Sequence, residues 1–343
     1  MKVRVGVIGT GRRGKQHLRQ LAKKQDVEVP AICDILPDVA AEAAKIANSR
    51  SYLDYREMLD KEELDAVVVA TPAPVHADPT VLALEAGMAV MCEKPLAWSL
   101  KDALRIVEAA KRTGQICETG YQWRHNPLLP VAMEHLGDSG IALVRGVWYH
   151  TVPLVESIRD VSTGGGQIFD QSTHIIDLAR VFAGDVTSLY AAYTLNARSK
   201  ADFDNYDNWD GYAVTMNYES GAVGSFGSTY ALFLGHGEPV TLDIVGSEIL
   251  VKVLGEKIIV ITPDGRQELG SDMEGFTAQS DIMGNFVKAV ATQDRALVKS
   301  PPADSVKSLA TTTAANLSAK TGQIVSPDEL IRRAGEGEEV PAI

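Results

Sequence analysis

The first 34 residues constrain the fold more than any other stretch of this chain. Lys2 to Gly9, KVRVGVIG, is a short valine-rich run that reads as a buried strand. The turn GTGRRG follows at once and places Gly9, Gly11 and Gly14 in G-x-G-x-x-G spacing. A helical pattern with Leu18 and Leu21 on its apolar face begins there. In such a strand–turn–helix unit the first glycine permits a tight turn and the second lets a pyrophosphate approach the backbone. The third lets helix and strand pack closely. The start of the helix adds N–H groups and a partial positive charge. VEVPAICD reads as a second strand ending at Asp34, 20 residues after Gly14. A carboxylate there accepts hydrogen bonds from ribose hydroxyls and repels a 2′-phosphate. Ile35 behind it is no phosphate-binding arginine, so the expected cofactor is NAD rather than NADP.

Strand and helix signals then alternate. Helices are expected at 37–48, 55–60 and 76–86, the last with Gly87 as its C-cap, and strands near Ser51 and over 65–71. AVMCEKP supplies the next strand and its exit. Ser99 with Asp102 resembles a capping box opening a helix to Thr113, and QICETG gives a sixth strand. The expected fold of residues 1–120 is an α/β Rossmann domain built on a doubly wound parallel sheet. Residues 121–335 read as an α+β domain. A helix near 127–136, a strand at 141–150 and a helix from the 164–166 glycines to Ala183 come first. Consecutive strands follow near 187–196, 211–219, 222–231, 239–245, 249–254 and 257–262, with Gly221 and Gly246 at hairpin turns. Helices at 277–292 and 303–321 close this domain, and 336–343 reads as a flexible tail. Such strands form a large, mostly antiparallel sheet. Val, Tyr, Phe and Trp are common in these strands, and the face away from the helices needs a partner or must be polar. That face is expected to join copies into a homodimer or homotetramer.

A chain of 343 residues suits two domains, and its net charge of −12 disfavours nucleic-acid or anionic-membrane partners. No apolar run approaches the roughly 20 residues of a membrane span, and no signal-peptide core opens the chain, so a cytoplasmic location is expected. Cys33, Cys92 and Cys117 show no metal-type pairing and read as small buried residues.

Two places carry candidate chemistry. Lys94 follows a buried strand and precedes Pro95, at the sheet edge where doubly wound folds bind ligands. A cis Pro95 would aim that lysine. The second place is GGGQIFDQSTHIIDLAR. Asp170 and His174 are four apart on the predicted helix and so share a face. A histidine can take the proton of a substrate hydroxyl, and a neighbouring carboxylate can orient it. Asp177 continues the stripe and reads as a structural partner of Arg180. No third ligand suggests zinc, so no metal is expected. Tyr121, Trp123, Arg124, His150, Tyr230 and His236 are candidates for lining a substrate pocket and equally for ordinary core or surface, and the acidic, aromatic loop 199–211 reads as a pocket rim or as a solvated crossover.

GVIGTGRRGKQH, CDI, ATPAPVH, EKPLA and GGG-x-x-x-D-x-x-x-H, in this order, resemble the glucose–fructose oxidoreductase and inositol dehydrogenase (Gfo/Idh/MocA) family from about Lys2 to Val325. The resemblance implies a Rossmann domain, an open-faced C-terminal sheet, and NAD(P)-dependent redox chemistry on a sugar or cyclitol carbon. It puts Gly9, Thr10, Gly11, Arg12, Arg13, Gly14, Asp34, Thr71, Pro72, His76, Glu93 and Lys94 at the cofactor. It makes Lys94, Asp170 and His174 the catalytic and substrate-holding residues, and places Arg124 near the site. Trp98 falls where the family varies. In the implied reaction His174 removes the hydroxyl proton, Asp170 steadies substrate and imidazole, and Lys94 hydrogen-bonds the same oxygen. Either Lys94 or His174 can serve as the formal base. A rival reading is glycoside cleavage with transient oxidation and no net NADH. A non-catalytic NAD sensor is a weaker rival, because Lys94 and His174 are both retained.

Overall fold

A computed structural model describes residues 2–153, 155–196, 206–270 and 280–341. The chain divides into two compact units, 1–122 with 281–306, and 123–280 with 307–343.

The first unit is a parallel sheet. Its strands are β1 (Val3–Ile8), β2 (Val27–Glu28), β3 (Ala31–Cys33), β4 (Arg50–Tyr52), β5 (Ala66–Val69), β6 (Ala89–Cys92) and β7 (Cys117–Thr119), in the order β4-β3-β1-β5-β6-β7 with β2 also on β1. Val5, Val7, Val67, Val68, Val69, Val90 and Met91 are fully buried, which is why these strands read as continuous apolar runs rather than alternating ones. The strand expected to run into Asp34 is instead two short ones. Pro30, between them, has no N–H to give a ladder, and β1 pairs separately with Val27 and with Ile32. Helix Leu100–Thr113 begins as its sequence suggests, with Ser99 Oγ accepting from the Asp102 amide at 3.1 Å.

Residues 281–306, expected in the second domain, belong to the first unit. Helix Ile282–Thr292 puts Met283, Phe286, Val287 and Val290 into one core with Val3, Val5, Leu18 and Leu21. Helical periodicity reveals an apolar face but not which core receives it.

The second unit carries an eight-stranded sheet. Its strands are β8 (Ile141–Thr151), β9 (Val186–Thr194), β10 (Gly211–Tyr218), β11 (Val223–Leu232), β12 (Thr241–Gly246), β13 (Ile249–Leu254), β14 (Lys257–Thr262) and β15 (Gly265–Glu268), ordered β15-β14-β13-β12-β8-β11-β10-β9. Every pairing is antiparallel except β8 with β11. One face buries Val144, Val214, Phe226, Leu242, Ile244 and Val251, whereas Tyr149, Tyr190 and Val223 on the other are 38–49 % exposed. β15 and helix Pro327–Gly335 were not expected from the sequence. Gly221 does lie in the β10–β11 turn with φ +85°, but Gly246 is the last residue of β12. The left-handed residue of that hairpin is Glu248, with φ +60°. Among the described residues, no helix is long and apolar enough to cross a membrane.

Candidate active site

The glycine turn of the first unit has the shape that a pyrophosphate needs. A Cβ on Gly14 would lie 1.9 Å from the Gly9 carbonyl oxygen, and Gly9 itself has φ +83°. A Cβ on Gly11 would meet nothing within 4 Å, so that side of the turn is open. Helix Arg12–Ala22 has Gly11 at its N-cap, no side-chain cap and no acid in its first turn, which leaves its amides for an anion. Asp34 is held at the turn. One carboxylate oxygen accepts from Thr10 N at 2.8 Å and Thr10 Oγ1 at 3.1 Å, and the other accepts from Leu36 N at 3.1 Å. Thr10 is fully buried, so it supports the turn from beneath, whereas Arg12 is exposed. Asp34, Thr71 and Pro72 line a cleft of about 420 Å³ together with Ile35, Leu53, Tyr55, Arg56 and Val75. Ile35, Leu53 and Val75 are 82, 52 and 54 % exposed, an apolar slot suited to a flat base beside a ribose-binding acid. The sequence reading missed Leu53, Tyr55, Arg56 and Val75, since only the fold brings the segments after β4 and β5 beside Asp34.

The turn after β6 is anchored from below. The Lys94–Pro95 peptide is cis. Glu93 is buried, and its Oε1 lies 2.5 Å from His17 Nε2 and 3.2 Å from Arg13 Nε, while Oε2 accepts from Lys94 N at 3.1 Å. Burial opposes ionisation of Glu93, but His17 and Arg13 overcome it and hold the carboxyl well below the usual carboxylate range. Glu93 therefore ties the lysine turn to the first helix, and Arg13 serves that tie as well as bonding Gln122 Oε1 at 3.1 Å. Lys94 is half-buried, as is Trp98. His17 was missed; its one sign in the sequence is a polar residue beside Leu18 on the helix face that packs inward. His76 and Tyr121 are buried in this unit.

In the second unit the expected continuous helix is broken. Asp170 ends a helix at Gly166–Asp170, and His174 lies in the next one, Thr173–Ala183. The buried Ser172 between them bonds Ser228 Oγ at 2.8 Å and pins the break to β11. The four-residue, one-face argument for Asp170 and His174 thus does not apply. His174 is 7 % exposed and packs its ring 5.7 Å from Trp123 and 6.2 Å from Trp148, indoles that stack on each other at 5.6 Å. Trp148 was not anticipated. Tyr230 is fully buried in a cluster with Val152 and Tyr206, and burial, followed by the Asp170 charge, pushes its hydroxyl well up.

Arg124 and Asp177 differ most from expectation. Arg124 Nε and Nη2 grip the Asp177 carboxylate at 2.7 and 2.6 Å, and Ser308 Oγ donates to it at 2.6 Å. Arg180 Nη1, the partner expected from spacing, is 3.9 Å away and Arg180 pairs closely with Asp185. His150 places Nδ1 2.9 Å from the Thr151 carbonyl oxygen. His236 lies on the turn after β11, stacked on Phe233 at 4.4 Å and 2.7 Å from Glu238. Of the rim loop 199–211, residues 199–205 lie outside the described residues. The three cysteines are free and buried, and no cluster of three His, Cys, Asp or Glu among the described residues is placed for a metal.

Comparison with known proteins matches residues 3–121 to the profile of an oxidoreductase family with an NAD-binding Rossmann fold, and residues 139–251 to the GFO/IDH/MocA C-terminal domain. The chain is 34 % identical over 187 residues to inositol 2-dehydrogenase 3 of Saccharopolyspora erythraea, covering 54 % of this chain and 55 % of the relative. It is 30 % identical over 207 residues to levoglucosan dehydrogenase of Pseudarthrobacter phenanthrenivorans, covering 54 % and 53 %. The chain thus spans about half the length of these curated relatives. Among solved structures, myo-inositol 2-dehydrogenase from Lactobacillus plantarum superposes with a TM-score of 0.77 at 26 % identity, over 95 % of this chain and 99 % of that one.

Proposed function

The chain belongs to the Gfo/Idh/MocA family, and on that premise we propose that it is an NAD-dependent dehydrogenase acting on a secondary hydroxyl of a sugar, sugar derivative or inositol-like cyclitol. The observation that carries this reading is the pairing, in one unit, of an NAD-type glycine turn and Asp34 with the buried Glu93 that fixes the Lys94 turn. The glycine turn, the first-helix amides and Asp34 would hold NAD, which supplies a hydride acceptor. His174 takes the hydroxyl proton, Asp170 steadies the substrate, and Lys94 donates a hydrogen bond to the oxygen as negative charge develops on it. The stacked Trp123 and Trp148 exclude water from one side of the imidazole. Arg124 positions helix Thr173–Ala183 through Asp177, so its effect on substrate reaches the pocket through that helix.

The test is incubation of the protein with NAD and a panel of hexoses, inositols, sugar acids and glycosides, following reduced nicotinamide by absorbance. NADH formation with a polyol or sugar is expected. Glycoside loss without NADH would favour the cleavage chemistry, and no turnover with any member would contradict the proposal.

The exposed Tyr149, Tyr190 and Val223 share a sheet face with Leu143 and Val147. We assign that face to a homodimer or homotetramer contact. Light scattering after size exclusion should give a mass of two or four chains, and a monomer at micromolar concentration would refute the assignment.

A further inference from the structure

His76 stands at the N-cap position of helix Ala77–Glu85, with no side-chain bond to that helix, and is 1 % exposed. Its Nε2 lies 2.8 Å from the Thr71 carbonyl oxygen, and its Nδ1 lies 2.9 Å from the Pro95 carbonyl oxygen. Carbonyl oxygens only accept hydrogen bonds. A neutral imidazole has one N–H and one lone pair, so either tautomer would press a lone pair against a carbonyl oxygen in a buried site. Such a contact is costly where water cannot relieve it. The imidazolium alone, with an N–H on each nitrogen, satisfies both partners.

The two carbonyls belong to different turns at the carboxyl edge of the sheet. Thr71 follows β5 and lines the cleft beside Asp34, while Pro95 follows Lys94 on the cis-prolyl turn after β6. We infer that His76 is a fixed imidazolium that clips the cofactor-side turn to the lysine turn, and that it acts as a positioning residue for Lys94. The second half of this inference rests on the function proposed above; the first does not.

The start of helix Ala77–Glu85 and burial oppose a cation here, and the two carbonyl acceptors favour one. The titratable group that bears on His76 is Cys92, whose thiol lies 3.6 Å and 3.5 Å from the carbonyls of Glu93 and Leu96. Glu93, on the turn that His76 clips, is engaged by His17 and Arg13, and Asp78 on its own helix pairs with Arg105. Burial works against the charge, but the Cys92 sulfur, in its ionised form, and the two carbonyl acceptors outweigh it and push His76 from 6.5 up to about 9. A folded-state value raised in this way contributes stability that is fully present below about 6.5. That stability is lost as pH rises through about 9.

Neutron diffraction from a crystal of the protein at pH 8 tests the first half without any variant. Deuterium on both Nδ1 and Nε2 of His76 is expected, and deuterium on one nitrogen alone would overturn the inference. Melting temperature should also fall more between pH 6.5 and 9 in the wild type than in His76→Gln, which offers amide donors without the charge. Equal slopes would count against the cation. For the positioning role, His76→Gln should lower kcat about tenfold with the KM for NAD changed less than about twofold. In a Lys94→Ala background the same change should alter kcat less than twofold. A full further tenfold loss there would show that His76 does not act through Lys94. If no substrate is turned over, the neutron result still stands, so failure of the clip and failure of the dehydrogenase reading are distinguishable.

Discussion

Replacing Lys94 with alanine is expected to lower turnover by at least about 100-fold while NAD still binds. The groups assigned to the nucleotide are the glycine turn, the first-helix amides and Asp34, and none depends on the Lys94 side chain. The turn itself should survive, because Glu93 binds the Lys94 backbone amide and is gripped by His17 and Arg13. The loss should therefore appear in kcat, with the dissociation constant for NAD, followed by fluorescence titration, changed by less than about threefold. Turnover within a fewfold of wild type would remove Lys94 from the mechanism. Loss of NAD affinity in parallel with kcat would make it a cofactor ligand instead.

The second large effect is on stability. Asp177→Ala should destabilise the protein by roughly 3–5 kcal/mol, as expected when one member of a buried ion pair is deleted. Asp177 is 1 % exposed and accepts two bonds from the Arg124 guanidinium and one from Ser308 Oγ. Its deletion leaves the Arg124 charge, whose side chain is 9 % exposed, facing a cavity where the carboxylate stood. Replacing both partners by apolar residues, Arg124→Met with Asp177→Leu, should be much milder, because no buried charge is then left behind. Urea denaturation of the single and double variants measures both. A single-variant loss below about 1 kcal/mol would show that the pair is effectively solvated.

The same two sites show what was legible in the sequence. Gly9, Gly11, Gly14 and Asp34 were readable because each answers a local backbone or charge requirement at fixed spacing. The β13 and β14 boundaries, Ile249–Leu254 and Lys257–Thr262, were read to the residue, with Gly255 in the turn between them. Arg124 and Asp177 lie 53 positions apart, and His17 and Glu93 lie 76 apart. No local pattern pairs such residues, so the partners of Arg124 and Glu93 are not legible in the sequence. The helix break at Ser172 is set by a hydroxyl on β11, again a distant partner. Asp177 and Arg180 do form the i,i+3 ion pair that helical spacing suggests, at 3.9 Å, but tertiary structure gives each residue a closer partner.

On the function proposed above, this chain moves a hydride from a carbinol carbon to NAD. The most direct test uses a polyol or sugar turned over in the substrate panel, prepared with deuterium on the reacting carbon. After turnover with NAD, nuclear magnetic resonance of the nicotinamide C4 position should show one deuterium per molecule of substrate oxidised. Substrate consumption with the deuterium released to water, and none on the nicotinamide, would contradict the account.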